Sequence, residues 1–172
     1  MPATTIEDHL HFMTLALEEA KKATPSPTAF CVGCVLVVSP QSDNPVILST
    51  GYSRELPGNT HAEANALDKA KLLTSKDLKN LYPVLGDFDV HSLLARTDVY
   101  TTLEPCSIRT SGLSPCADAL IEAKVRRCII GVSEPPDFVE CEGAERLKEA
   151  GIDVIWLAGL EDECLKVARR EH

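Results

Sequence analysis

Nowhere do the 172 residues offer the ~20 consecutive apolar side chains that a bilayer-spanning helix requires, so no membrane partner is expected. The apolar core of a signal peptide is missing as well. Met1 to Lys22 reads as an amphipathic helix, and the expected location is the cytoplasm. Basic charge is scarce: 17 Lys and Arg stand against 26 Asp and Glu, a formal net charge of −9. A nucleic-acid backbone is bound mainly through phosphate neutralisation, so this balance disfavours nucleic acid and favours a small substrate. Internal repeats, low-complexity tracts and a second zone of composition are also lacking. Residues 1–172 are therefore read as one domain of ordinary size, and the 44% hydrophobic content allows a normal core.

What the chain does have is seven cysteines, an odd number in a sequence without an export signal. That usage favours free thiols or metal ligands over disulfides, and spacing must decide between them.

Hydrophobic periodicity supplies the frame. Thr4 or Thr5 caps a first helix whose residues Ile6, Leu10, Met13, Leu17 and Ala20 share one face, and Pro25 and Pro27 end it. Val32 to Val38 is a β-branched run typical of a strand covered on both faces. Val46 to Thr50 forms a second strand across the Pro40 to Pro45 turn, making a hairpin. A helix from Thr60 to Leu73 follows, and Lys76 to Arg96, which has little periodicity, reads as an irregular insertion. Strands at Asp98–Leu103, Arg127–Val132 and Ile152–Leu157 then alternate with helices at Pro115–Lys124, Gly143–Ala150 and Leu160–Arg170. Such alternation after a hairpin predicts an α/β fold with a mixed sheet and helices on both faces.

Three segments carry chemistry: Thr60-His61-Ala62-Glu63-Ala64-Asn65, Thr102-Leu103-Glu104-Pro105-Cys106 and Ser114-Pro115-Cys116. One imidazole and two thiolates suit a tetrahedral zinc with a fourth position open to water, whereas a structural zinc takes four protein ligands. Ser114 and Pro115 are good Ncap and N1 residues, which puts Cys116 in a first helical turn where the dipole favours its thiolate. Glu63 can work as a general acid–base on a zinc-activated water. However, positions i and i+2 do not share a helix face, so His61 and Glu63 converge only if the metal lies beyond the first turn. Glu63 has a structural reading too, since Thr60-x-x-Glu63 is a capping box. Cys31, Cys34, Cys128 and Cys164 are read as core residues, Cys141 as an exposed or loop thiol, and His9, His11, His91 and His172 as surface residues.

His61-Ala62-Glu63 with Leu103-Glu104-Pro105-Cys106 and Pro115-Cys116 resembles the zinc-dependent cytidine-deaminase superfamily, marked by His-x-Glu and Pro-Cys-x-x-Cys. The longer spacing from Cys106 to Cys116 is similar to that of the riboflavin-pathway pyrimidine deaminases. Val32-Gly33-Cys34, the run from Gly51 to Thr60, and Glu149-Ala150-Gly151-Ile152-Asp153-Val154 also resemble that branch. Pro25-Ser26-Pro27-Thr28-Ala29-Phe30, Cys106-Ser107-Ile108-Arg109 and the Gly-Tyr-Ser-Arg-Glu-Leu segment align it with fungal-type members rather than bacterial ones.

The resemblance implies a three-layer α/β/α cytidine-deaminase-like fold with a five-stranded mixed sheet and a homodimer; because the sequence ends at His172, no separate reductase domain is expected. It implies that His61, Cys106 and Cys116 hold Zn2+ while Glu63 shuttles protons. Hydroxide then attacks the ring carbon bearing the 2-amino group of 2,5-diamino-6-ribitylamino-4(3H)-pyrimidinone 5'-phosphate, releasing ammonia. Asn65, Thr28, Phe30, Cys31 and Val32 come from segments that line the pocket in the superfamily, and Arg54 and Arg109 are the candidate phosphate contacts.

Overall fold

The computed structural model describes residues 4–39, 44–109, 112–135 and 141–170. The Pro40–Pro45 turn, apart from its last two residues, and His172 lie outside them. One five-stranded sheet organises the chain. Strand β1 (Gly33–Val38) pairs antiparallel with β2 (Val46–Tyr52) and with β3 (Thr97–Leu103); β4 (Arg127–Val132) and β5 (Asp153–Trp156) continue from β3 in parallel, giving the order β2-β1-β3-β4-β5. The predicted hairpin and mixed sheet are both present.

Seven α-helices are described. One side of the sheet carries α1 (Ile6–Ala20) and α7 (Glu161–Ala168); the other carries α2 (Ala62–Lys71), α3 (Ser75–Leu81), α4 (Val90–Leu94), α5 (Cys116–Ala123) and α6 (Gly143–Glu149). Strand alternation explains the two cores. In β1, Val35 and Val37 pack with Met13, Ala16 and Leu17 of α1, while Cys34, Leu36 and Val38 pack with Ala62, Ala66 and Ala70 of α2.

Thr5 caps α1 in a reciprocal capping box with Asp8, as one of the two threonines was expected to do. The buried face, however, is His9, Phe12, Met13, Ala16, Leu17 and Ala20, and Ile6 is 71% exposed. The predicted stripe is thus rotated at its amino-terminal end. His9, read as a surface residue, is buried, with Nδ1 2.9 Å from the hydroxyl oxygen of Tyr100. The phenol supplies a polar partner that no local pattern announces.

Lys76 to Arg96 is not irregular either. It folds into α3, a 3₁₀ turn at Pro83–Asp87 and α4, which place Leu78, Leu85, Leu93 and Leu94 in the α2-side core. Each piece is too short to show a period; capping by Thr74 with Asp77, and by Asp89, starts the two helices.

Burial, and then the charge of Arg127, holds the His9 imidazole below its ordinary pKa. A depressed folded value contributes stability that is present above the unfolded pKa of about 6.5 and is lost as pH falls through the folded one. Urea unfolding at about pH 7.5 and pH 5 should show the advantage of the wild type over His9→Leu shrinking toward acid. An advantage that stays constant over that range would remove His9 from the pH dependence.

Candidate active site

The carboxyl end of β3 meets the amino termini of α2 and α5, the end of a sheet at which open α/β folds place their ligands. His61 is the Ncap of α2, with extended backbone (φ −99°, ψ 154°), and Glu63 is the second helical residue. The conflict between i and i+2 therefore disappears: His61 lies outside the helix and its ring turns toward the strand end. Gly51 of β2 makes this close approach tolerable. A Cβ there would lie 2.2 Å from the Ala62 carbonyl oxygen, so any larger residue would push the start of α2 off the sheet.

No capping box forms at Thr60. Its hydroxyl donates to the Leu56 carbonyl at 2.9 Å, and the α2 Ncap has no side-chain cap bond. Glu63 instead points into the protein, 3% exposed, and its Oε1 accepts from the Thr101 hydroxyl at 2.9 Å. Thr101 has the same strand parity as Val99, which faces α2, and this alternation is what aims it at Glu63. Burial raises the Glu63 pKa, and the charge of Cys106 pushes the same way.

Cys106 follows β3, and Cys116 is the first residue of α5, whose Ncap is Pro115 rather than Ser114. His61 Nδ1 lies 3.4 Å from Cys106 Sγ and 3.5 Å from Cys116 Sγ. A tetrahedral zinc with bonds of about 2.3 Å to sulfur and about 2.0 Å to nitrogen would separate those atoms by about 3.5 Å, so the donor set fits the ion. All three ligand atoms lie within 4.8 Å of one another. The Cys116 backbone N–H donates to Cys106 Sγ at 3.2 Å, joining the helix start to the thiolate. Hydrogen bonds from Cys116 and His61 hold the Cys106 thiol well below its usual range; that same bond to Cys106, followed by burial, pushes Cys116 up. A metal bound by both sulfurs would hold both as thiolates and release the protons they carry.

The pocket in front of these donors is lined by Thr28, Ala29, Phe30, Val32, Ser53, Arg54, Asn59, His61, Glu63, Leu103, Glu104, Cys106, Ile108, Arg109 and Glu134. It thus brings together most of the residues singled out in the sequence. Two stand apart. Cys31 is fully buried behind the wall, its sulfur 3.5 Å from Arg54 Nη2. Asn65 is 1% exposed and does not line the pocket; its amide donates to the Tyr52 carbonyl and the Thr60 hydroxyl, tying α2 to the segment before it.

The two arginines differ in how they are used. Arg54, at φ +63°, spends its guanidinium on main chain: Nε and Nη2 donate to the Thr24 carbonyl, and Nη1 to that of Phe30. Arg109 donates one Nη2 bond to the Asn59 carbonyl at 2.7 Å, with no other partner among the described residues.

Sequence reasoning passed over Thr101 and Glu134. Thr101 was discoverable from strand parity. Glu134, two residues beyond β4, was discoverable only from the rule that residues past the carboxyl ends of parallel strands approach the ligand. The remaining cysteines are free, and Cys34, Cys128 and Cys164 are buried, as read from the sequence. Among the described residues no helix is long and apolar enough to cross a membrane.

The sequence family described as the cytidine and deoxycytidylate deaminase zinc-binding region matches residues 6–132. A diaminohydroxyphosphoribosylamino-pyrimidine deaminase of Schizosaccharomyces pombe is 42% identical over 165 residues, which are 96% of this chain and 36% of that protein. The chain therefore spans about a third of the length of this curated relative. Aspergillus oryzae Rib2 deaminase, solved as a C-terminal deletion mutant, superimposes with a TM-score of 0.76 at 36% identity, covering 95% of this chain and 92% of that one. A second structure of that enzyme, in complex with DARIPP, gives a TM-score of 0.72 at 33% identity, with 95% and 91% covered. The chain belongs to the cytidine and deoxycytidylate deaminase zinc-binding family and, within it, stands with the pyrimidine deaminases of the riboflavin pathway.

Proposed function

We propose that this chain hydrolytically deaminates 2,5-diamino-6-ribitylamino-4(3H)-pyrimidinone 5'-phosphate at the 2-amino group, with one zinc ion held by His61, Cys106 and Cys116. The observation that carries this reading is the buried carboxylate of Glu63, which serves no cap and opens on the same pocket as His61 and Cys106, two of the three donors. A zinc ion on this donor set supplies Lewis acidity sufficient to bring the pKa of a water to about 7. Glu63 would take a proton from the attacking water and deliver a proton to the 2-amino nitrogen, which would leave as ammonia. The single Thr101 proton is shared between Glu63 Oε1 at 2.9 Å and the Leu103 carbonyl at 3.0 Å, so the threonine holds the carboxylate in place.

For the phosphate, Arg109 is the contact we assign, since most of its guanidinium is uncommitted among the described residues. Arg54 acts differently from the phosphate role first expected of it. Its bonds to Thr24 and Phe30 set the wall that carries Thr28, Phe30 and Val32. Arg109→Ala should raise KM for the phosphorylated substrate about tenfold, the scale of one lost charge-assisted bond, without loss of zinc. Unchanged KM would clear Arg109 of the role. We also take the protein to be a homodimer, which light scattering of the purified chain would decide.

The substrate reading itself is tested by ammonia release with the ribityl phosphate, the ribosyl phosphate named for the S. pombe relative, and cytidine side by side. The ribityl phosphate should be turned over most efficiently. Cytidine used equally well would replace this reading with a general nucleoside deaminase.

A further inference from the structure

Glu134 lies in the pocket opposite no assigned partner. It sits just past β4, lines the same cavity as His61, Glu63, Cys106 and Arg109, and shares a hydrogen bond with the Cys141 thiol. That thiol is itself fixed, 3.2 Å from the Pro105 carbonyl oxygen beside the metal-ligand segment. Yet Glu134 Oε2 is buried with no hydrogen-bond partner among the described residues. Leaving a carboxyl oxygen buried and unpaired is costly, and native proteins retain such groups mainly where a ligand or water completes them. The proton transfers of the deamination do not use it, because Glu63 serves them.

A carboxylate in this position accepts N–H donors, and the proposed substrate brings several. Besides the 2-amino group that leaves, the ring bears a 5-amino group and the N–H of its 6-ribitylamino substituent; cytidine has carbon-bound hydrogens at both positions. We propose that Glu134 is a specificity-determining residue that accepts a hydrogen bond from the 5-amino group of the pyrimidine, selecting 5-amino substrates over ring systems without it. This inference rests on the proposed function and adds a recognition element to the same site. Burial pushes the free Glu134 carboxyl up to about 7, as expected for a group awaiting a donor.

The test is a ratio. Values of kcat/KM are measured for the 2,5-diamino substrate and for the analogue carrying hydrogen in place of the 5-amino group, using the zinc-loaded wild type, Glu134→Ala and Glu134→Gln. Wild type should prefer the diamino substrate about tenfold or more, the scale of one hydrogen bond to a charged group, and Glu134→Ala should lose that preference. Glu134→Gln, which keeps the shape and one carbonyl acceptor, should fall between them and covers the case in which the alanine variant does not fold. A structural role would lower both substrates together and leave the ratio alone. If wild type uses the diamino substrate but the ratio is the same in all three proteins, the Glu134 inference is overturned while the deaminase reading stands. If wild type uses neither compound, both fall.

Discussion

Glu63→Gln should lower kcat for pyrimidine deamination by a factor of roughly 10² to 10⁴, the scale of lost general acid–base help, while fold and zinc content should stay at wild-type levels. The substitution removes the group that moves protons but preserves its size and its ability to accept from the Thr101 hydroxyl. Because Glu63 is buried, a change to a smaller residue would mix catalysis with cavity formation, and glutamine avoids this. The capping-box account predicts a silent mutation, since Gln serves equally well at N3. The structure already opposes that account, with Glu63 at the second helical position and no side-chain cap on α2. Turnover is measured by ammonia release and zinc by elemental analysis. Wild-type turnover in the glutamine variant would dismiss Glu63 as the proton carrier.

The second large effect concerns the metal. Purified protein should contain about one zinc per chain, and Cys116→Ala should contain almost none. Three donors converge from α2, the end of β3 and α5, so the ion would join elements far apart in sequence. A ligand bound only by the folded state stabilises it by about 4 kcal/mol when its free concentration is a thousandfold above Kd, and chelation should cost that much stability. Denaturant unfolding with and without a chelator measures the difference. Full zinc retained by Cys116→Ala, or less than about a tenth of an equivalent in wild type never exposed to chelator, would refute the site.

Much of this molecule was legible in the linear pattern. The hairpin, the alternation of strands and helices that follows, and the His61, Cys106 and Cys116 donors could be read directly. They could be read because helix and strand periods are local, and because metal ligation needs particular atoms that few residues provide. Even the discord between His61 and Glu63 had a local solution: one residue is the Ncap and the other is in the helix, a difference of boundary finer than periodicity resolves.

Other features were decided only by folding. Asn65 and Arg54 belong to motif segments, yet the tertiary structure turns their donors onto the main chain of Tyr52, Thr24 and Phe30. A guanidinium is assigned by whichever acceptors come within reach, and the Thr24 carbonyl reaches Arg54 only after α1 and β1 have packed. Burial of His9 likewise requires Tyr100, 91 positions away, to offer its hydroxyl. Leu78, Leu85, Leu93 and Leu94 enter the core from pieces too short to display a period. Glu134 enters the pocket because β4 runs parallel beside β3 and ends at the same level, with Leu103 opposite Val132. The sequence alone determined which side chains can hold a metal and where the regular elements run; only the tertiary structure decided which polar groups spend their hydrogen bonds inside the protein and which remain open to a ligand, because that choice depends on partners brought together across the sheet.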